Sequence, residues 1–214
     1  MNNRTKRIIT TAMLCAFAHV VMVIGRIPIV LFLEYDPKDI IITLGGLICG
    51  PMTACIVSVI VSLTEMFTVS GTGIIGCVMN IISTCAFACP AAVIYKKKHT
   101  LSGAVIGLVT GSFTMVAVMM LWNYLITPLY MGCPREAVVE LLLPAFLPFN
   151  MLKAGLNAGF TFLLYKPVIT ALRKSGYISM SEKGHIHRPI GLIILAIMII
   201  ISCILIIMSM NGMV

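Results

Sequence analysis

From Pro189 to Met210 the chain reads "PIGLIILAIMIIISCILIIMSM", 22 residues without one charged side chain. At about 1.5 Å per residue a helix of this length reaches roughly 33 Å, slightly more than the ~30 Å hydrocarbon core of a bilayer. In water the run would expose an apolar cylinder, whereas in lipid a helix pairs all its backbone groups internally. Similar runs recur along the chain. Of its 214 residues 60% are hydrophobic and 10% charged, against about 25% charged in a soluble domain. The sequence therefore describes an all-α integral membrane protein with no chain left over for a soluble catalytic domain.

The apolar runs and their breaks place spans near Arg7 to Gly25, Asp39 to Cys49, Pro51 to Phe67, Ile74 to Tyr95, Leu101 to Tyr130, Pro148 to Lys166 and Pro189 to Met210. The second is short and ends in Gly50-Pro51, which breaks a helix, so this segment is expected to be bent or partly inserted. Three basic residues precede the first span without a small-x-small cleavage site, the pattern of a retained anchor.

Charge orients the bundle. With the N-terminus cytoplasmic, the inner segments carry Arg4, Lys6, Arg7, Lys96, Lys97, Lys98, Lys166, Arg173, Lys174, Lys183 and Arg188, eleven of the fifteen basic residues. Arg26, Lys38, Arg135 and Lys153 remain for the outer side, together with Glu34, Asp36, Asp39, Glu65, Glu136 and Glu140. The net charge of +8 is thus a matter of topology, and no nucleic-acid partner is expected. The partner this composition demands is the lipid bilayer itself.

Motifs for other chemistry are weak. Eight cysteines are scattered and imply no disulfide framework; Cys85 and Cys89 share a helix face but have no histidine or further thiol to complete a metal site. "GTGIIG", Gly71 to Gly76, matches a dinucleotide fingerprint but follows a membrane span instead of a strand, and reads as a flexible outer loop. No P-loop motif occurs, so ATP-driven work would fall to a partner. No catalytic residues, metal or resident cofactor are expected.

The polar exceptions inside the spans are more informative. Counting back from Lys166, the sixth span starts near Pro148 and puts Lys153 about 8 Å below the outer end. Asn150, Lys153 and Asn157 are spaced i, i+3 and i+7 and share one face. A lysine at mid-bilayer costs about 2.5–3.5 kcal/mol, so it normally turns to a bundle interior or cavity with partners. Snorkelling to the headgroups would account for the lysine but not for two amides on its face. Asn123, among the interfacial aromatics Trp122, Tyr124 and Tyr130, offers a partner from span five, and Asn80 in span four lies near the same end. Amides and one ammonium suit a neutral, hydrogen-bond-rich ligand better than an ion.

"FLEYDPKDIIITLGGLICGP" (Phe32 to Pro51), "NYLITPLY" (Asn123 to Tyr130) and "PFNMLKAG" (Pro148 to Gly155) together resemble the riboflavin-specific substrate-binding subunit, or S component, of energy-coupling factor (ECF) transporters. The likeness runs from about Arg7 to Arg173. It implies a six-helix bundle enclosing a flavin near the outer face, with the loop between spans one and two, Ile27 to Asp39, as its lid. Motif by motif, Asn123, Asn150 and Lys153 take the positions that contact the flavin ring. The resemblance also implies uptake with a transmembrane T component and two ATPase subunits. Small residues of the first helix pack against that T component, and here Ala12 and Ala16 have a four-residue spacing.

Two features depart from the resemblance. Pro189 to Met210 is a seventh span, so the organisation expected is a substrate-binding membrane domain over residues 1–173, a basic cytoplasmic linker over 174–188 and an additional helix over 189–214. Glu65 stands where a basic or neutral residue would be expected at the outer end of span three. Two other classes stay open: an autonomous proton- or ion-coupled secondary transporter with Lys153 and Glu65 titrating, and a membrane enzyme drawing on His19, Glu65 and Lys153.

Overall fold

The structure, a computed structural model, describes residues 3–174 and 190–210. In chain order it contains α1 (Asn3–Gly25), strands β1 (Ile27–Val30) and β2 (Leu33–Tyr35), α2 (Lys38–Cys49), α3 (Pro51–Thr68), α4 (Gly73–Lys98) and α5 (Leu101–Leu125). The short α6 (Thr127–Met131) and α7 (Arg135–Leu141), a π-helical turn (Leu142–Phe146), α8 (Leu147–Lys174) and α9 (Ile190–Met210) complete it. Among the described residues, six helical stretches, within α1, α3, α4, α5, the α7–α8 run and α9, are long and apolar enough to cross a membrane. The chain is a multi-pass, all-α membrane protein.

The short second span follows from its breakers. Gly50 adopts φ +99°, a conformation open to glycine, and Pro51 opens α3 at a position where its missing N–H is not needed. The 12 residues of α2 rise only about 18 Å, so the second span is a short, almost wholly buried helix that carries the chain back from the hairpin end of the bundle to the start of α3. Lys38, its first residue, meets Glu65 in the last turn of α3, so the two helices run antiparallel.

Two other boundaries move. The fifth span ends at Leu125, and Pro128 lies in the first turn of a new helix because it cannot supply an N–H to α5. The sixth begins well before Pro148: α7, the π turn and the start of α8 are continuous, with Leu147 N–H reaching the Leu142 carbonyl five residues back. Pro144 lies inside the turn that bond closes and Pro148 directly follows it, and the wider turn accommodates them without ending the helix. The strands form a small antiparallel hairpin with an irregular register, which helical periodicity could not reveal.

Packing centres on α4 and α8. α4 contacts α2, α3 and α5, and α8 contacts α2, α5 and α9. Between α4 and α5 the backbones touch closely enough that a Cβ on Gly111 would sit 2.3 Å from the Phe87 carbonyl. Toward the lysine-rich end of α4, the Tyr95 and Tyr165 hydroxyls meet at 2.8 Å. At the opposite end the hairpin's Ile29, Leu33 and Tyr35 share an apolar cluster with Phe146, Phe149 and Leu152.

α9 completes that cluster from outside. Its buried residues Ala196, Ile200, Cys203 and Ile207 recur at helical spacing, and the first three seat against Gly155 and Gly159 of α8. The expected linker, 174–188, lies outside the described residues apart from the backbone of Lys174. The α8–α9 contact is directly testable, because a Cβ on Gly155 would lie 3.1 Å from Cys203 Sγ, close to the spacing within a disulfide. Mild oxidation of Gly155→Cys should therefore produce an intramolecular disulfide to Cys203, read by mass spectrometry of the digested monomer. Two free thiols, or a cross-linked dimer, would place α9 elsewhere.

Candidate functional site

The hairpin brings charge to the mouth of the bundle. Alternation along β2 turns Leu33 and Tyr35 into apolar packing and leaves Glu34, between them, at the rim. Phe32, at the hairpin turn, stacks 4.9 Å from Tyr130 and 6.4 Å from Phe146 by ring centroids. Beneath it lies a cavity of about 290 Å³, at the small end of the roughly 300–1,000 Å³ of ligand pockets.

One part of its wall is apolar, formed by Phe32, Met79, Met119, Tyr130 and Phe149. Another is charged or polar, with Arg26, Glu34, Asp36, Glu65, Asn80, Asn150 and Lys153. Ser70, Gly71 and Thr72 contribute from the α3–α4 loop, so part of the glycine-rich "GTGIIG" stretch borders the cavity before α4 begins at Gly73.

Two ionic networks hold this wall. Arg26 donates from Nε to Asp36 at 2.9 Å, pairs with Glu34 at 3.0 Å and reaches Glu65 with its remaining nitrogen. Lys38, fully buried, binds Asp36 at 3.0 Å and also Glu65. Asn80 Nδ2 donates to Glu65 at 2.9 Å. Burial alone would raise the Asp36 pKa, but Lys38, Lys153 and Arg26 outweigh it and hold the carboxyl below its ordinary value.

The second network surrounds Asp39, which has no exposed surface. Its Oδ1 accepts from Thr84 Oγ1 at 2.6 Å, and its Oδ2 accepts from Asn157 Nδ2 at 3.1 Å and faces Lys153 Nζ at 3.4 Å. Asp39 thereby ties α2 to α4 and α8.

The residues singled out in the sequence fall into three groups. Asn80, Asn150 and Lys153 line the cavity. Asn150 Nδ2 is engaged by the Phe146 carbonyl at 2.7 Å while its Oδ1 has no protein partner, as is true of Ser83 Oγ in the same wall. Asn123 and Asn157 are buried outside the cavity lining: Asn123 accepts from Thr127 at 3.1 Å, and Asn157 stands behind Lys153 on Asp39. The charged partner of Lys153 is consequently Asp39 in α2, where the sequence had offered Asn123 in α5. A desolvated ammonium requires an opposite charge, which an amide cannot supply. Ala12 and Ala16 are exposed on α1, away from the cavity.

Sequence reading placed Asp36, Lys38 and Asp39 within the lid segment and Glu65 at the outer rim without giving any of them a binding role, and it left Arg26 out of the site. The signal was present: charges of both signs crowd into residues 26–39, and Glu65 sits in an apolar span where it needs a cation.

A polar and aromatic cavity, closed over by a hairpin at one end of a membrane-embedded helical bundle, defines a small-solute-binding membrane protein. Residues 6–165 match the family described as "ECF transporter, substrate-specific component", and the chain belongs to that family. The riboflavin transporter FmnP of Bacillus subtilis (strain 168) is 25% identical over 198 residues, covering 86% of this chain and 100% of that protein. The riboflavin transporter RibU of Staphylococcus aureus (strain TCH60) is 26% identical over 180 residues, covering 80% of this chain and 94% of that one. A solved S component of a bacterial ECF transporter superposes with a TM-score of 0.70 at 27% identity, covering 80% of this chain and 99% of its own. The family match ends before α9 begins at Ile190.

The Asp39–Lys153 pair makes a sharp stability prediction. Asp39→Ala should destabilise the detergent-solubilised protein by about 3–5 kcal/mol, the usual result of stranding one buried charge. Combining it with Lys153→Met should recover part of the lost melting temperature. An Asp39→Ala protein that melts like the wild type would show that the pair does not hold α2 in place.

Proposed function

We propose that the chain is the riboflavin-binding S component of an ECF importer, taking the vitamin from outside and delivering it inward with a T component and two ATPase subunits. The observation that carries this reading is the cavity wall, where Asn80, Asn150 and Lys153 converge beside Phe32, Met79, Met119, Tyr130 and Phe149. The apolar side suits the faces of a flat tricyclic ring. The ring's carbonyls and nitrogens offer acceptors to Lys153, which can only donate, and both donors and acceptors to the amides. The names of the two relatives point to the same ligand.

The basic residues favour a cytoplasmic N-terminus, with the cavity opening toward the outside. In that orientation the hairpin serves as lid, with Phe32 against Tyr130 as its latch. Residues 1–173 act as the substrate-binding body and 189–214 as an additional membrane helix. Asn123 and Asn157 support the site from behind its wall, through Thr127 and Asp39 respectively. Ala12 and Ala16, exposed at four-residue spacing on α1, form the surface for the T component.

Asn150→Ala tests the pocket by deleting a buried acceptor that has no protein partner. Losing a hydrogen bond of this kind costs about 1–3 kcal/mol, so affinity measured by quenching of flavin fluorescence should fall about 5- to 150-fold. Unchanged affinity would remove Asn150 from the site, and absence of flavin binding by the wild type would overturn the ligand assignment.

Coupling is tested separately. Ala12→Trp with Ala16→Trp should abolish cellular uptake in the presence of the T component and ATPases while purified protein keeps its flavin affinity, because both residues point away from the cavity. Uptake by the wild type in vesicles supplied with an ion gradient but no ATP would favour a secondary transporter.

A further inference from the structure

We infer that the carboxylates of the cavity wall, Glu34, Asp36 and Glu65, select for a ligand whose tail is an uncharged polyol and reject its phosphate ester. The inference rests on the flavin reading above and names the specificity of that same cavity. A phosphate-binding pocket presents uncommitted cations or backbone N–H groups, with Arg the usual bidentate partner. Here Arg26 divides its guanidinium among Asp36, Glu34 and Glu65. Lys38 is held by Asp36 and Glu65, and Lys153 faces Asp39. Counted together, Arg26, Lys38 and Lys153 stand against Glu34, Asp36, Asp39 and Glu65, three positive charges against four negative ones. A phosphate monoester carrying about −1.5 to −2 charge at neutral pH would meet acids and cations that are already paired.

The same wall suits hydroxyl groups. Ionised carboxylates only accept hydrogen bonds, and each hydroxyl of a polyol has a proton to donate. Glu34, at 38% side-chain exposure, is the acid most open to such contact. Ser70 and Thr72 border the cavity beside these acids, and Ser70 Oγ and Thr72 Oγ1 already bond one another at 2.8 Å. The flat ring then takes the side of Met79, Met119 and Phe149, and the tail takes the side of the acids.

The experiment is a set of fluorescence titrations of the full-length protein with three flavins: lumiflavin, which lacks the polyol, riboflavin, and riboflavin 5′-phosphate. Riboflavin should bind at least tenfold more tightly than lumiflavin and at least 100-fold more tightly than the phosphate. Raising salt from 0.05 to 1 M should strengthen phosphate binding and leave riboflavin nearly unmoved, because repulsion at the partly exposed rim is screened. Glu34→Gln should narrow the riboflavin-to-phosphate ratio at least tenfold. Glu65→Gln, which keeps an acceptor for Lys38, should do the same if it folds; Glu34→Gln decides the matter if it does not. Equal or tighter binding of the phosphate by the wild type, or a ratio unmoved by Glu34→Gln, overturns the selectivity. Failure of all three flavins to bind overturns the flavin reading beneath it.

Discussion

A carboxylate with no access to solvent is the least forgiving object in this bundle. Asp39 lies in the first turn of the short, buried α2, and its charge is met by Lys153, Asn157 and Thr84 from two other helices. Taking ions out of water costs several kcal/mol each, so such a site holds only when geometry satisfies every partner. The rest of the cavity wall is built around that requirement. α2 must reach α4 and α8, and Lys38, one residue earlier, must then find its own acids in Asp36 and Glu65.

The same bonds shape the cavity. Because Glu65 gathers Arg26, Lys38 and Asn80, the hairpin, α2, α3 and α4 meet at a single carboxylate. The hairpin is thereby fastened on its polar side by ion pairs and on its apolar side by Phe32, Ile29, Leu33 and Tyr35. Opening the mouth requires loosening both. α9 bears on the apolar half, since Ile200, Cys203 and Ile207 belong to the same cluster as the hairpin residues.

Long-range periodicity made most of the fold legible. The uncharged runs give the crossing helices, and Gly50-Pro51 marks the α2–α3 break, because backbone breakers and lipid impose local constraints. Lys153 and Asn150 were readable as a polar face because helical spacing is fixed, and both line the cavity. Which partner each buried charge meets was not readable. Asp39 and Asn157 lie 118 positions apart, and no local rule selects one acid of the outer segments over another. Asn123 illustrates the limit: depth put it at the correct end, but rotation about its helix directs it to Thr127. The hairpin escaped notice because four- and three-residue strands are too short for a period to emerge.

That separation of 118 positions also bears on how the chain is made. Ribosomes add about 5–20 residues per second, so about 6–24 s pass between synthesis of Asp39 and synthesis of Asn157, by which point α8 has also supplied the counter-ion Lys153. α3 brings Glu65 to Lys38 early, but Lys153, which pairs directly with Asp39, arrives only with α8. During that interval the charge-bearing helix has every reason to stay at the water interface or in the shelter of the insertion machinery. The bundle thus closes late, with its second helix seated by its eighth, and an insertion defect in α8 would surface as a misplaced α2.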